Sequence, residues 1–276
     1  MEENLRGLID EAVAFIRERV DASPRIGIVL GTGLGEGALT TELKARARIP
    51  YAEIPHFPSS TVESHAGNLI LGVLRDKEVV VMSGRVHYYE GYTMREVTFP
   101  IRTLRGLGAT TLIISSAVGG MNPLMRKGEI VCVTDHINLM GDNPLIGKND
   151  EALGPRFPDM SEPYSRELIQ VAERSALRLG LPLDKGVLAG VAGPNLETRA
   201  EYRFLRSIGA DVVGMSMVPE NIVAVHGAMR VLGLSVITDE CFPDALKPVD
   251  IQEILRIAAE AEPKLARLVC EIIQEI

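Results

Sequence analysis

Tryptophan is absent from this chain of 276 residues, and aromatic residues make up only 4% of it. Cysteines are few, and the three present, Cys132, Cys241 and Cys270, are widely spaced. An odd number at such spacing argues against a disulfide framework or a zinc site, and it predicts buried, reduced thiols. The first residues lack the basic start and apolar run of a signal peptide, and no stretch of about 18 apolar residues could span a membrane. These absences predict a cytoplasmic protein that does not bind membranes.

Basic residues are in the minority, because 29 lysines and arginines stand against 37 acidic residues and give a net charge of −8. Nucleic-acid binding needs a basic surface, so this balance argues against DNA or RNA as a partner. Hydrophobic residues make up 46% of the chain, which is enough for a substantial core. Neither a Pro/Gly/Ser-rich linker nor an internal repeat divides the sequence, and we therefore expect one domain over residues 1–276.

Short apolar runs alternate with amphipathic segments, and several of these runs stop at glycine or small polar residues. The patterns predict strands at 26–30, 69–74, 78–82, 111–115, 130–134, 188–191, 211–213 and 230–238. They predict helices at 5–20, 98–107, 167–179, 199–208, 219–229 and 250–276. The alternation indicates an α/β fold with a parallel or mixed sheet, in which ligands bind where the strands end.

A glycine turn with the sequence Gly-Thr-Gly-Leu-Gly occupies residues 31–35, directly after the first predicted strand. A dinucleotide-binding fingerprint would need a glycine in place of Glu36, and a P-loop would need a following Gly-Lys-Ser/Thr. The turn therefore gives little support to an NAD-dependent oxidoreductase, which is an alternative from another enzyme class. Its backbone N–H groups and the Thr32 hydroxyl could hold an anion, or the turn could be purely structural.

Cationic residues occupy two further predicted turns. His65 lies in Ser-His-Ala-Gly at 64–67, and Arg85 and His87 lie in Gly-Arg-Val-His-Tyr-Tyr-Glu-Gly-Tyr at 84–92. Strand-period spacing places Arg85 and His87 on one side, and arginine offers a fixed fork of donors that suits phosphate. Taken singly, the arginine could pair with a surface carboxylate, the histidines could be structural and the tyrosines could be ordinary packing. The concentration of tyrosine, arginine, histidine and glutamate in one short segment favours an anion site.

Five segments together carry a resemblance to a known family, at residues 31–35, 84–92, 119–123, 193–198 and 209–216. The chain resembles the trimeric purine nucleoside phosphorylases and their methylthioadenosine phosphorylase relatives, from about Ile26 to the C-terminal helix. The resemblance implies a single α/β domain with a mixed, partly barrel-like sheet flanked by helices, assembled as a homotrimer. It implies a pentosyltransferase of purine salvage, in which phosphate attacks C1′ of a purine (deoxy)ribonucleoside and gives free base and (deoxy)ribose 1-phosphate. Inorganic phosphate is then a co-substrate, and no metal or organic cofactor is expected.

The resemblance also assigns roles to individual positions. The phosphate-binding positions correspond to Thr32, His65, Arg85, His87, Ser216 and the backbone N–H of Ala117. The nucleoside-binding positions correspond to Tyr89, Ala117, Leu196, Glu197, Val213, Gly214, Met215, Asp239 and Ile251. Phe157 matches an aromatic residue lent to the neighbouring subunit's site, so that trimer formation would complete each site. His87, Glu197 and Asp239 are the residues to which the resemblance gives catalytic roles.

Two positions depart from the pattern of the members that cleave 6-oxopurine nucleosides. Asp239 stands where those members carry asparagine, and an ionised aspartate only accepts hydrogen bonds. It would repel O6 and accept from the 6-amino group of adenine, as in the methylthioadenosine-cleaving relatives. Ile251, or Val249 if a gap is moved, stands where those members place a histidine facing the ribose 5′-hydroxyl. An apolar residue there suits a 5′-alkylthio group, which makes 5′-methylthioadenosine phosphorylase the alternative function.

Glu197 favours 6-oxopurine nucleosides instead, because its carboxylate can accept a hydrogen bond from N1–H of a 6-oxopurine. Adenine N1 is an acceptor, so a hydrogen bond between Glu197 and N1 would require a proton on Glu197 or a bridging water. We therefore expect a broad or shifted purine specificity. A hydrolytic nucleosidase and a non-enzymatic purine-binding protein are further alternatives, and dependence of base release on phosphate separates them from a phosphorylase.

Overall fold

The computed structural model describes residues 4–31, 37–59 and 67–276. Their strands are β1 (Ile26–Leu30), β2 (Lys44–Pro50), β3 (Asn68–Leu74), β4 (Lys77–Ser83), β5 (Thr111–Gly120), β6 (Ile130–Leu139), β7 (Leu183–Val191), β8 (Val212–Gly214) and β9 (Arg230–Glu240). Their α-helices are α1 (Leu5–Arg17), α2 (Ala38–Glu42), α3 (Met94–Leu107), α4 (Arg166–Leu179), α5 (Arg199–Ser207), α6 (Val218–His226) and α7 (Ile251–Glu275). Short 3₁₀ turns occupy Tyr51–Glu53 and Tyr88–Glu90.

The strands form one nine-stranded sheet in the order β2-β3-β4-β1-β5-β8-β7-β6-β9, and β9 pairs again with β5. This last pairing closes β5, β8, β7, β6 and β9 into a ring, while β2, β3, β4 and β1 extend from it as an open sheet. Parallel pairs such as β1–β4 and β6–β7 occur beside antiparallel pairs such as β3–β4 and β6–β9. The predicted α/β fold with a mixed, partly barrel-like sheet is confirmed.

Strand β5 belongs to both parts of the sheet. Its first residues, from Thr111 to Ile114, pair with β1, and its last two, Gly119 and Gly120, pair with β8. Its whole length pairs with β9 on the other edge. Glycine at position 31 allows the end of β1 to approach β5, since a Cβ there would lie 2.8 Å from the Ser115 carbonyl oxygen. The strand ends on the open sheet and on the ring are thereby brought to one place.

The helices cover the sheet with apolar faces that the sequence marks clearly. α1 buries Ile9, Ala12, Val13 and Ile16, and it packs against α3. α3 begins at a capping box between Thr93 and Glu96, and α5 begins at a second one between Thr198 and Glu201. α6 is buried on nearly all sides, and it carries Glu220 and Asn221 into the interior. The helical segments nearest the strand ends are therefore fixed by both capping and burial.

The cysteines are buried and free, as predicted. Within the described residues, no helix is both long and apolar enough to cross a membrane. The same part of the chain contains no group of three or more His, Cys, Asp or Glu side chains arranged to hold a metal ion.

Candidate active site

A cavity of about 590 Å³ opens where β4, β5, β7, β8 and β9 end, beside the first turn of α7. Its size falls in the range of pockets that enclose small-molecule ligands. Twelve of the residues predicted for the site line it, and they are Arg85, His87, Tyr89, Ala117, Leu196, Glu197, Val213, Gly214, Met215, Ser216, Asp239 and Ile251. The fold therefore brings residues from 85 to 251 in the sequence to one place.

Arg85 is the buried cation of this cavity, with only 2% of its surface exposed. Its Nη2 donates to the Ser115 carbonyl oxygen at 2.5 Å, and its Nη1 lies 3.3 Å from Oε2 of Glu220 on α6. The contact with Glu220 is close enough for an ion pair but lacks hydrogen-bond geometry, and Nε and Nη1 have no hydrogen-bond partner among the described residues. The guanidinium is thus held by two elements while retaining donors for an anion.

Glu220 is the counter-ion of Arg85 and is itself buried, with 3% exposure. Burial raises the pKa of its carboxyl, while Arg85 and a backbone hydrogen bond from Met217 oppose the shift. Nearby, the Tyr51 hydroxyl donates to the Gly84 carbonyl oxygen at 2.8 Å, directly before Arg85 in the chain. Glu220 therefore offsets part of the desolvation cost of burying the Arg85 guanidinium in the cavity wall.

His87 is held by Glu90, three residues along the same 3₁₀ turn. Nδ1 of His87 lies 2.9 Å from Glu90 Oε1, and the backbone N–H of His87 donates to the same oxygen at 2.8 Å. The imidazole stacks on Tyr89 with the ring centroids 4.8 Å apart. Burial and the nearby Arg85 lower the pKa of His87, and Glu90 opposes this shift. The contact with Glu90 assigns the ring proton to Nδ1 in a neutral imidazole, which makes Nε2 the acceptor.

The opposite end of the cavity carries acidic residues. Asp239, at the end of β9, accepts from the Thr238 hydroxyl and from the Cys241 thiol, both at 3.0 Å. Glu197 lies half-buried before α5, and the Tyr202 hydroxyl faces both Glu197 and Cys241. Burial raises the pKa of Glu197, and Asp239 and Glu201 add to the shift, while Tyr202 and the backbone of Glu197 oppose it. Carboxyl groups cannot hold phosphate, so this end suits a ligand with hydrogen-bond donors and acceptors.

Small and apolar residues connect the two ends. Val213, Gly214 and Met215 line the wall at the end of β8, and the Met215 sulfur fills the space where a Cβ on Gly193 would lie. The buried hydroxyl of Ser116 hydrogen-bonds with that of Ser235 across β5 and β9 at 2.9 Å. Ser116 is therefore satisfied by the ring itself and is a structural residue of the cavity wall.

One rim of the cavity is apolar and belongs to α7. Ile251, Ile254 and Leu255 line it together with Gln252, and the Asp250 side chain caps this end of the helix by accepting from the Gln252 N–H at 2.9 Å. Val249 lines a neighbouring cavity and is absent from the lining of this one. Of the two residues predicted for this position, Ile251 is therefore the one at the cavity.

Three further residues were predicted for the site, and only one of them, Phe157, lies among the described residues. Thr32 and His65 lie outside the described residues. Phe157 is 86% exposed in the segment between β6 and α4, with the Arg156 guanidinium 5.8 Å from its ring. With so much of its ring exposed, Phe157 adds little to the hydrophobic core of its own subunit. This exposure is compatible with the role predicted for Phe157 in the site of a neighbouring subunit.

Several residues that hold the site together had no predicted role in it, namely Glu90, Glu220, Tyr202 and Cys241. Glu90 was visible in the segment that contains Arg85 and His87. Cys241 was visible as one of three cysteines, two residues from Asp239. Tyr202 lies in an amphipathic helical pattern and Glu220 in a mostly apolar one, and neither pattern gave any sign of a site.

The comparisons with known proteins agree with this geometry. A family model described as "Phosphorylase superfamily" matches residues 25–274. Purine nucleoside phosphorylase 1 of Bacillus subtilis (strain 168) is 45% identical over 271 residues, which are 98% of this chain and 99% of that protein.

Two crystal structures of Schistosoma mansoni purine nucleoside phosphorylase are also similar. The complex of isoform 2 with cytosine and ribose-1-phosphate has a TM-score of 0.92 and 37% identity, covering 98% of this chain and 96% of that one. The complex with adenosine has a TM-score of 0.92 and 38% identity, covering 97% and 96%. The chain therefore belongs to the phosphorylase superfamily and, within it, to the purine nucleoside phosphorylases.

Proposed function

We propose that the protein uses inorganic phosphate to cleave the N-glycosidic bond of purine (deoxy)ribonucleosides, releasing the free base and (deoxy)ribose 1-phosphate. The observation that carries the proposal is a single cavity with a buried cation at one end and two carboxyl groups at the other. A phosphate held by Arg85, Ser216 and the Ala117 N–H lies at the first end. A purine base lies at the second, where Leu196, Val213 and Gly214 supply an apolar wall.

The charges of the cavity suit the reaction. Breaking the bond leaves positive charge on the ribose and negative charge on the departing purine, and a dianionic phosphate under C1′ stabilises the first. His87, neutral and fixed by Glu90, accepts or returns the phosphate proton. Asp239 and Glu197 hydrogen-bond to the base, which fixes the proton on the leaving group. Holding phosphate and sugar in reacting geometry supplies up to about 7–11 kcal/mol of the barrier reduction.

The decisive experiment is base release with and without phosphate. We expect free base and pentose 1-phosphate from at least one of adenosine, inosine, guanosine and 5′-methylthioadenosine, with the rate falling to background when phosphate is removed. Release that continues without phosphate would identify a hydrolase. Binding without release would identify a purine-binding protein, and turnover of NAD would identify an oxidoreductase.

The rim on α7 favours 5′-methylthioadenosine as a second candidate substrate. Ile251, Ile254 and Leu255 present hydrocarbon where the sugar 5′ position would lie, and Gln252 is the one polar side chain of this group. A 5′-alkylthio group gains about 0.8 kcal/mol for each methylene that it buries, whereas a hydroxyl gains nothing from hydrocarbon. The same four-substrate assay ranks the two nucleoside types.

We also propose a cytoplasmic homotrimer in which Phe157 enters the cavity of the neighbouring subunit. Replacing Phe157 by alanine is expected to leave the free energy of unfolding of the subunit within about 0.5 kcal/mol, since the ring is 86% exposed. It is expected to raise KM for the nucleoside by about tenfold, the effect of losing one aromatic anchor worth about 1.4 kcal/mol. Steady-state kinetics and sedimentation velocity measure the two effects.

The matched control is Leu177→Ala, which removes a side chain on α4 that is 81% exposed. We expect this variant to keep both its KM and its sedimentation coefficient. Equal KM values for Phe157→Ala and the wild type would contradict the proposed contribution of Phe157 to a neighbouring site.

A further inference from the structure

We propose that a second cavity, separate from the candidate active site, binds a phosphoryl group carried by inorganic phosphate or by a small phosphomonoester. This cavity encloses about 400 Å³ between α3, the end of α6 and the segment from Pro144 to Leu153. We call it the arginine cavity, and the polar side chains that define it are Arg95, Arg102, Lys148, Asn149, Asp150 and His226. It shares no lining residue with the candidate active site, and the inference does not depend on the proposed function.

Arg102 is the buried cation of the arginine cavity, with 8% of its surface exposed. Its only side-chain hydrogen bond within the described residues joins Nη1 to Nδ1 of His226 at 3.4 Å. Burial and the nearby Arg95 lower the pKa of Arg102 to about 10, and Asp150 opposes this shift, so the guanidinium is still charged at neutral pH. A buried charge is unfavourable unless it is paired, and the remaining donors of Arg102 are therefore available to an anion in the cavity.

His226 positions Arg102 without neutralising it. A guanidinium can only donate, so Nδ1 of His226 is the acceptor and the ring proton is on Nε2. Nε2 lies against the backbone of Gly154, where an added Cβ would be 2.8 Å away. Burial and Arg102 lower the pKa of His226, while the backbone of Gly154 and Pro155 opposes the shift. A neutral imidazole therefore fixes the guanidinium and leaves its charge uncompensated.

Two further cations line the cavity nearer to solvent. Arg95 lies two helical turns before Arg102 in α3, so the two side chains project from the same face of the helix. Lys148 belongs to the facing segment and is exposed. Among the described residues, no carboxylate forms an ion pair with any of these three cations. The cavity thus has a buried cation at its inner end and two accessible ones at its mouth.

The acidic residues of the lining do not remove this excess of positive charge. Asp150 accepts through Oδ1 from the backbone N–H of Ala152 at 2.9 Å, and Glu151 is exposed to solvent. Three basic side chains therefore stand against two carboxyl groups within one cavity, although the whole chain has a net charge of −8. A local excess of unpaired cations in an acidic protein favours an anionic ligand.

The geometry of the donors points to a phosphoryl group. Arginine presents a planar fork of N–H donors that matches phosphate oxygens, and a dianion compensates more of the charge than a single carboxylate does. The candidate active site has the same combination of a buried arginine and a neutral histidine, but there Glu220 accompanies Arg85. Leu145 and Leu153 also line the arginine cavity, and they can contact the organic part of a phosphomonoester.

The test counts phosphate sites per chain by equilibrium dialysis with radiolabelled inorganic phosphate at constant ionic strength. We expect two sites in the wild type, one in Arg102→Met and one in the double variant Arg85→Met, Glu220→Leu. The variant that combines all three substitutions is expected to bind none. If Arg102→Met binds as many phosphate ions as the wild type, the proposal is overturned. Failure of the proposed function has another signature, a single site in the wild type that Arg102→Met removes and the double variant retains.

The unfolding of Arg102→Met in urea without phosphate tests a purely structural role. Loss of an unpaired buried charge is expected to leave the free energy of unfolding unchanged or higher, whereas loss of a structural contact would lower it. Should Arg102→Met be destabilised, Arg95→Met decides, because Arg95 is exposed. In the Arg85→Met, Glu220→Leu background we expect Arg95→Met to raise the Kd for phosphate about tenfold. An unchanged Kd would overturn the proposal.

Arg267→Met is the matched control, because Arg267 is an exposed arginine of α7 that lines neither cavity. Its Kd for phosphate is expected to equal that of its background. Competition with unlabelled ribose 5-phosphate then distinguishes the two sources of the phosphoryl group. Displacement at lower concentrations than unlabelled phosphate requires would identify a phosphomonoester, and the reverse order would identify inorganic phosphate.

A carboxylate of the protein itself is the rival occupant of the arginine cavity. Glu2 and Glu3 precede Asn4, which lines the cavity, and they lie outside the described residues. If a side chain of the protein filled the cavity, phosphate would not enter it, and the wild type and Arg102→Met would bind the same number of phosphate ions. That result would overturn the proposal.

Discussion

Replacing Arg85 by methionine is expected to lower kcat/KM for phosphorolysis by about 10³-fold, the upper part of the range for losing one charge-stabilising donor at a reacting centre. Arg85 is the buried cation of the cavity, and two of its nitrogens have no hydrogen-bond partner among the described residues. We expect the loss to appear mainly as a raised KM for phosphate, with a lower kcat from poorer placement of the nucleophile. Initial rates over a grid of phosphate and nucleoside concentrations separate the two.

The same substitution is expected to destabilise the fold, which makes a second variant necessary. Without Arg85, the Glu220 carboxyl would be buried and unpaired, and breaking a buried pair in this way costs about 3–5 kcal/mol. The double variant Arg85→Met, Glu220→Leu removes both charges and is expected to recover most of the free energy of unfolding in urea while remaining inactive. Activity in this well-folded double variant would contradict the role of Arg85.

A surface arginine provides the control for charge removal. Arg166 is 79% exposed and lies 3.7 Å from Glu162 in a pair that solvent screens. We expect Arg166→Met to change the free energy of unfolding by less than about 0.5 kcal/mol and to leave kcat/KM unchanged.

Asp239→Asn is expected to change the preference between adenosine and inosine by about 100-fold in favour of inosine. The amide of asparagine donates to O6 of inosine, whereas the carboxylate of Asp239 only accepts and therefore suits the 6-amino group of adenosine. The change removes one hydrogen bond from adenosine and gives one to inosine, at about 1.4 kcal/mol each, which corresponds to this factor. The measurement is the ratio of kcat/KM for the two nucleosides, taken at one pH and one phosphate concentration.

Glu240→Gln is the control for this change, because Glu240 is the next residue in β9 and its side chain is exposed. Its adenosine-to-inosine ratio is expected to match that of the wild type. If Asp239→Asn also left the ratio unchanged, Asp239 would have no part in base selection.

Much of the fold could be predicted because its apolar periodicity is local. The predicted strand at 26–30 coincides with β1, and the predicted helix at 199–208 differs from α5 by one residue. β2 and α2 were missed because β2 is an edge strand that exposes most of its residues and α2 is only five residues long. β5 was predicted to end at 115 and continues to Gly120, since pairing with β8 and β9 outweighs the low strand propensity of its glycines.

The closure of the ring could not be predicted from local pattern. It depends on β5 pairing with β9 along its whole length, although Thr111 and its partner Arg230 are more than 100 residues apart. Large separation in sequence also explains why part of the site could not be predicted. Arg85 and His87 were recognisable within one segment, whereas Glu220 becomes a partner of Arg85 only after α6 has packed against α3 and β9.

The position of β5 between the open sheet and the ring has a consequence for how such a protein can diversify. Arg85 and His87 follow the open sheet, whereas Glu197, Asp239 and Cys241 follow ring strands. Mutations that alter which base is accepted can therefore accumulate after the ring strands, while Arg85 and His87 after the open sheet stay intact. A lineage with this architecture can acquire new nucleobase preferences by small steps without passing through an inactive ancestor.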